Sequence, residues 1–244
     1  MSNCIKSDLY MMLYKKTYLF FLVICPLLGM IISVMNSIIR LGDSTYENIT
    51  LHSYKFLFYT YIAFIIIIIY SVLFEFIDSG FIQNEIIQCH IKSKIILSKY
   101  IIVCLLIPFF FVLIPLLVYI CTSKVIMHDV YADLIIRNIA FGLILFRISF
   151  DCVSLVFIFK ESGFYFFATL TMWYFIPGLI KKMTIGKFRI YKLTWEYQMS
   201  LITSNGMTNE MFFKYVIPFE LLSLSIHFII MGLLVYIFFR EREL

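Results

Sequence analysis

Arg147 and Asp151 stand four residues apart near the middle of DLIIRNIAFGLILFRISFDCVSLVFIFK (Asp133 to Lys160), an otherwise apolar segment that also holds Arg137. A charge placed in the middle of a membrane span costs about 2.5–3.5 kcal/mol on insertion scales. Residues at i and i+4 share a helix face, so the spacing predicts a charge-assisted pair between the two. Two roles are open to such a pair. It can face the protein interior and shape a substrate or subunit interface, or it can pin helix packing. The second needs fewer parts, because nothing in the sequence supplies a relay partner. Glu75 and His227 are further polar residues in apolar surroundings, read as lining near a span end or a helix interface.

These residues do not make a catalytic set. H-E-x-x-H and G-x-S-x-G are missing, and no span carries paired carboxylates. The nearest approach to a phosphate loop is GLIKKMTIGKF, Gly178 to Phe188. Its glycines are eight apart, and Phe188 follows Lys187 where a Walker A loop has Ser or Thr. The six cysteines show no CxxC or Cys/His spacing, so free thiols are expected and no metal site. The expectation is a chain that is not an enzyme and binds no cofactor. If it moves a solute, the energy comes from another chain or from an ion gradient.

The elements that must position Arg147 and Asp151 follow from composition. Hydrophobic residues make up 62% of the chain, charged residues 14%, and mean hydropathy is +0.96. Soluble chains average about 45–50% apolar and about 25% charged. The apolar residues form long runs rather than amphipathic stripes, and roughly 20 residues of helix cross a bilayer core of about 30 Å. Six spans are predicted, at about 18–39, 56–77, 100–121, 133–160, 164–180 and 219–239, in one transmembrane domain covering 1–244. The fold class is all-α, integral membrane. The net charge of +5 sits at span ends and in loops, which fits a lipid bilayer and gives no reason to expect nucleic acid.

Both termini are expected in the cytoplasm. Lys6, Lys15, Lys16, Lys92, Lys94 and Lys99 outnumber Arg40, Lys55 and Lys124 on the opposite side. The basic stretch 181–218 conflicts with that sidedness, and a five-span chain would result if 133–160 failed to cross. Ahead of the first span, Ile5, Leu9, Met12 and Leu13 form a stripe, with Lys6, Asp8 and Lys15 away from it. This reads as a short amphipathic helix on the membrane surface, or as a polar cap on the first span. In 181–218, rings such as Phe188, Trp195 and Phe213 alternate with basic residues, a mixture suited to lipid headgroups, and Thr208-Asn209 could start a helix.

Between spans two and three, DSGFIQNEIIQCHIKSKIILSK (Asp78 to Lys99) is too short for a domain and too rich in Ile for a solvated linker. A short helix near 81–88, a bend around 89–93 and then the next span are predicted, with a plain interfacial loop as the alternative. The residues Asn84, Glu85, Ile86, Ile87, Ile91, Lys94, Ile95, Ser98 and Lys99 resemble the connector of ABC-2 type permeases, including small permeases that export antimicrobial peptides or confer immunity to them. The resemblance implies that this connector is the coupling helix pushed by a separate ABC ATPase subunit, through Phe81, Ile82, Glu85, Ile86, Gln88, Lys92 and Lys94. It also implies a second permease chain, identical or sister, and short helices between spans five and six that fold back into the outer leaflet. The implied substrate is amphipathic and drawn from the cell membrane, such as an antimicrobial peptide expelled as self-protection. ATP would be used by the partner subunit alone. A gradient-driven carrier, an intramembrane enzyme and a non-transporting anchor or sensor partner are the rival readings.

Overall fold

The structure, a computed structural model, describes residues 2–41, 46–78, 92–122, 128–159, 161–183, 189–204 and 208–240. Helix α1 spans Ser2–Tyr14, α2 Lys16–Leu41, α3 Tyr46–Asp78, α4 Lys92–Thr122 and α5 His128–Ile158. Helix α6, Ser162–Met183, contains one π turn at Thr171–Phe175. A 3-10 turn at Arg189–Leu193 leads into α7, Trp195–Ile202. A short helical turn at Asn209–Met211 and a π turn at Phe212–Val216 run straight into α8, Ile217–Arg240. No strand occurs among the described residues.

Six of these helices are long and apolar enough to cross a membrane, which marks a multi-pass membrane protein by length and composition. Their qualifying stretches, Lys16–Ile39, His52–Phe74, Lys94–Leu117, Ile135–Ile158, Ser162–Met183 and Phe212–Phe238, follow the six predicted spans closely. The segment whose charges put it in doubt is the fourth of them, and 83% of it is buried, more than any other. Helix α5 is therefore the axle of the fold. It packs against α3, α4 and α8, while α2 lies against α3 and α4. Its charges are tolerable because other helices, not lipid, surround them.

Proline shapes two of the helices. Both π turns end two residues before a proline, Pro177 and Pro218. A proline inside a helix has no N–H to give and its ring crowds the preceding turn, so the backbone widens there. Pro177 leaves the Trp173 carbonyl without its usual donor, and the Trp195 indole Nε1 donates to that carbonyl at 2.8 Å. Within α2, Ser33 and Ser37 donate to the carbonyls of Gly29 and Ser33 at 2.7 and 2.8 Å, so neither hydroxyl is left unpaired in an apolar setting.

The amphipathic N-terminal helix forms, but its orientation departs from the expectation. Asp8 is buried, not turned away from the apolar stripe, because α1 docks on the start of α4. There Asp8 forms an ion pair with Lys99 and accepts from Ser98 Oγ at 2.6 Å. Helix α4 begins at Lys92, so the end of the predicted bend is already helical. The expected helix near 81–88, with Phe81, Ile82, Glu85, Ile86 and Gln88, lies outside the described residues. Lys94 is exposed on the first turn of α4. Glu75 falls within α3, near its end. Cys25, Cys104 and Cys152 are free and buried.

Candidate functional site: a buried charge cluster beside a cavity

Arg147 and Asp151 share a face of α5, yet they do not pair with each other. Each reaches across to α8. Arg147 Nη1 lies 3.3 Å from Glu220 Oε2, and His227 Nδ1 lies 2.7 Å from Asp151 Oδ2. The reason is geometric. Arg147 and Asp151 are four residues apart on α5, and Ser223 and His227 are four apart on α8, so two adjacent helices present polar rows of the same spacing. Arg147 also donates to Ser223 Oγ, whose own hydroxyl donates to the Leu193 carbonyl at 3.1 Å. The predicted intrahelical pair is thus replaced by two interhelical pairs, one turn apart. Polar groups that meet across a helix interface keep one another out of lipid.

A third element completes the site. The 3-10 turn and α7 fold back against the middle of α5. Arg147 Nη1 approaches the Leu193 carbonyl at 3.4 Å, and Nη2 donates to Gln198 Oε1 at 3.2 Å. Arg137 donates to the Ile202 carbonyl and, at 3.2 Å, to that of Ser204, where α7 ends. A cation at the last carbonyls of a helix meets its negative pole and satisfies acceptors that have no intrahelical donor. Trp195, expected in the headgroup layer, is 3% exposed and sits 4.7 Å from the Phe58 ring. Irregular backbone at membrane depth is tolerated only where protein groups satisfy it, and Arg147 with Ser223 does this for Leu193. The helix start at Thr208-Asn209 forms as read, with the Met211 N–H donating to Thr208 Oγ1 at 3.3 Å, but it extends α8 rather than standing alone.

Beside the cluster lies a cavity of about 240 Å³ between α6, the fold-back segment and α8. Arg147, Trp173, Trp195, Ser223, Ile226 and His227 are among its walls. The Arg147 guanidinium stands 5.5 Å from the Trp173 ring centroid, and the His227 ring 6.0 Å from it. Buried polar atoms without a protein partner gather here: Arg147 Nε, Trp173 Nε1, Gln198 Nε2, Asp151 Oδ1 and Glu220 Oε1. Among the described residues, no three His, Cys, Asp or Glu side chains come together as a metal site. The arrangement can hold an uncharged polar group next to apolar surface, and it can bind protons.

Of the residues singled out from the sequence, Arg147, Asp151 and His227 come together, while Glu75 lies near the end of α3. Glu220, Ser223 and Gln198 were not singled out. Glu220, Ser223 and His227 fall at i, i+3 and i+7, one helical face, and that spacing was the available signal. Compared with known proteins, the chain matches no family model, no curated protein and no solved structure.

Proposed function

We propose that the chain is the membrane-spanning permease subunit of an ATP-driven ABC exporter. In this reading it lies in the cell membrane with both termini in the cytoplasm, pairs with a second permease chain, and takes an amphipathic substrate out of the bilayer. A separate ATPase subunit docks on the connector between α3 and α4 and on α1, and supplies all the ATP chemistry. One observation carries the reading: a fold-back segment, 189–202, packs into the bundle between the fifth and sixth span-length helices. That is the feature the ABC-2 resemblance implies at this place in the chain. The ion pair between Asp8 and Lys99 adds support, because it ties α1 to the helix that leaves the connector, so one push could move both. The antimicrobial peptide implied by the resemblance belongs to the substrate class, and no wall of the cavity singles it out.

The test is coupling. Glu85→Lys combined with Lys92→Glu should leave the permease inserted and folded, since both lie outside the hydrocarbon in this reading. Each charged contact with the ATPase is worth about 1–3 kcal/mol, so ATPase co-purification should fall clearly. If the wild-type chain brings down no ATPase, and vesicle transport runs on an ion gradient without ATP, the reading is wrong. A gradient-driven carrier is then the successor, and it has its own observation: Asp151 and Glu220 are fully buried carboxylates on span-length helices, one of them bonded to His227.

A further inference from the structure

We propose that the cavity between α6, the fold-back segment and α8 binds an uncharged acyl amphiphile, an ester whose carbonyl oxygen accepts hydrogen bonds from Trp173 and Arg147. The proposal names a substrate class for the transporter proposed above and rests on that reading. Two of the cavity's own lining residues hold donors that no protein group meets, Trp173 Nε1 and Arg147 Nε, and the two residues are 2% and 1% exposed. Buried donors in this state call for an acceptor. The rest of the wall is largely apolar, with Met172, Ile176, Pro177 and Ile180 on α6 and Ile226 on α8.

Charge decides what kind of acceptor fits. Arg147 already has a counter-charge in Glu220 at 3.3 Å, and Asp151 adds a second buried carboxylate beside His227. The one guanidinium on the wall is thus already matched, and Asp151 Oδ1 and Glu220 Oε1 are further buried oxygens near it, so an anionic guest meets no spare cation while a neutral carbonyl needs none. Access comes from the bilayer. Ile176 and Ile226 line the cavity and are also exposed on the outer faces of their helices, so a chain could enter sideways between α6 and α8. Size limits the guest to a stretch of chain. A cavity of about 150 Å³ holds one benzene, and this one is moderately larger.

The chain's two tryptophans, Trp173 and Trp195, both line the cavity, so its intrinsic indole fluorescence reports on this place. The full chain in nanodiscs is titrated with a bromine-labelled monoacylglycerol. Saturable quenching, reversed by the unlabelled ester, is expected. A brominated fatty acid and a brominated alkane should each bind about ten-fold more weakly, the loss expected for one mismatched hydrogen bond. Trp173→Phe, read through Trp195, should lower affinity for the ester about ten-fold and leave the alkane unchanged. Ile226→Phe keeps both indoles and narrows the entrance, and should weaken all acyl probes. Quenching that grows linearly with mole fraction and is not displaced, or an alkane equal to the ester, overturns the proposal. So does saturable quenching by an apolar bromophenylalanine peptide where the ester gives none. The assay needs no ATP. A chain that binds the ester but recruits no ATPase keeps this site and loses the ABC reading; the reverse result loses only this site.

Discussion

Arg137 and Arg147 grip the fold-back segment at its two ends. Ten residues separate them on α5, about 15 Å of helix, and α7 lies across that interval. Arg137 meets the carbonyls at the end of α7, while Arg147 meets Leu193 just before it and Gln198 on its first turns. One helix thereby holds a segment that begins some forty residues later. The guanidinium suits this task because its planar fork reaches several acceptors at once, which a lysine ammonium does not match.

Arg147→Ala is expected to cost about 3–5 kcal/mol, since Glu220 would stay buried without its cation. Glu220→Gln should cost less, because Arg147 keeps Ser223, Gln198 and the Leu193 carbonyl. The double variant should be milder than the sum of the two. Reversible unfolding in mixed micelles, followed by tryptophan fluorescence, measures the coupling. A cycle of Arg147 with Asp151 should give the smaller coupling; the opposite order would restore the intrahelical pair.

Asp8→Ala should release α1 from α4. Removing Asp8 takes from the buried Lys99 the carboxylate that ties it to α1 and costs about 1–3 kcal/mol of docking. Met12, 1% exposed on α1, supplies the readout. In a background without native cysteines, Met12→Cys should resist a soluble maleimide, and adding Asp8→Ala should make it react quickly. Equal protection in both backgrounds would mean that apolar packing alone seats the helix.

Gly29 is a place of close approach between α2 and α3. A methyl group there would stand 2.6 Å from Tyr61 Cε1. Tyr61 cannot easily retreat, with Phe111 at 4.6 Å and its hydroxyl donating to the Pro26 carbonyl at 3.0 Å. Gly29→Ala should therefore destabilise by about 1–3 kcal/mol. Gly232→Ala, where an added Cβ meets nothing within 4 Å, should change stability by less than about 1 kcal/mol. Thermal inactivation of the two variants in detergent gives the comparison.

Sidedness can be read by labelling. With six crossings, cysteines placed at Ser93 and Lys187 should react with an impermeant maleimide from opposite sides of the membrane. Reaction of both from one side would mean that one of the six helices does not cross, and α5, with its arginines, would be the first suspect.

The six apolar helices were legible because hydropathy acts locally, and runs such as Ile65 to Ile69 need no partner to declare themselves. Partner choice was not legible. Spacing along one helix names only neighbours three or four residues away, so it offered Asp151 to Arg147, whereas the groups that meet them lie far along the chain. Asp8 misled for the same reason. Its burial depends on Lys99 and Ser98 on another helix. Trp195 was placed among headgroups by composition, but its indole bonds the Trp173 carbonyl that Pro177 leaves open and its ring packs on Phe58 and Tyr59 of another helix.

The distance along the chain between the two halves of the charge cluster sets a schedule for biosynthesis. Ser223 and His227 each follow their α5 partners, Arg147 and Asp151, by 76 residues. At about 5–20 residues per second, α5 is made roughly 4–15 s before the α8 side chains that meet its charges. During that interval α5 carries its arginine and aspartate without their α8 partners, and it must wait at the insertion machinery or sit uneasily in lipid. Nascent chains halted before α8 should therefore be poorly retained in the membrane and readily degraded, and release of α8 becomes the event that commits the whole bundle.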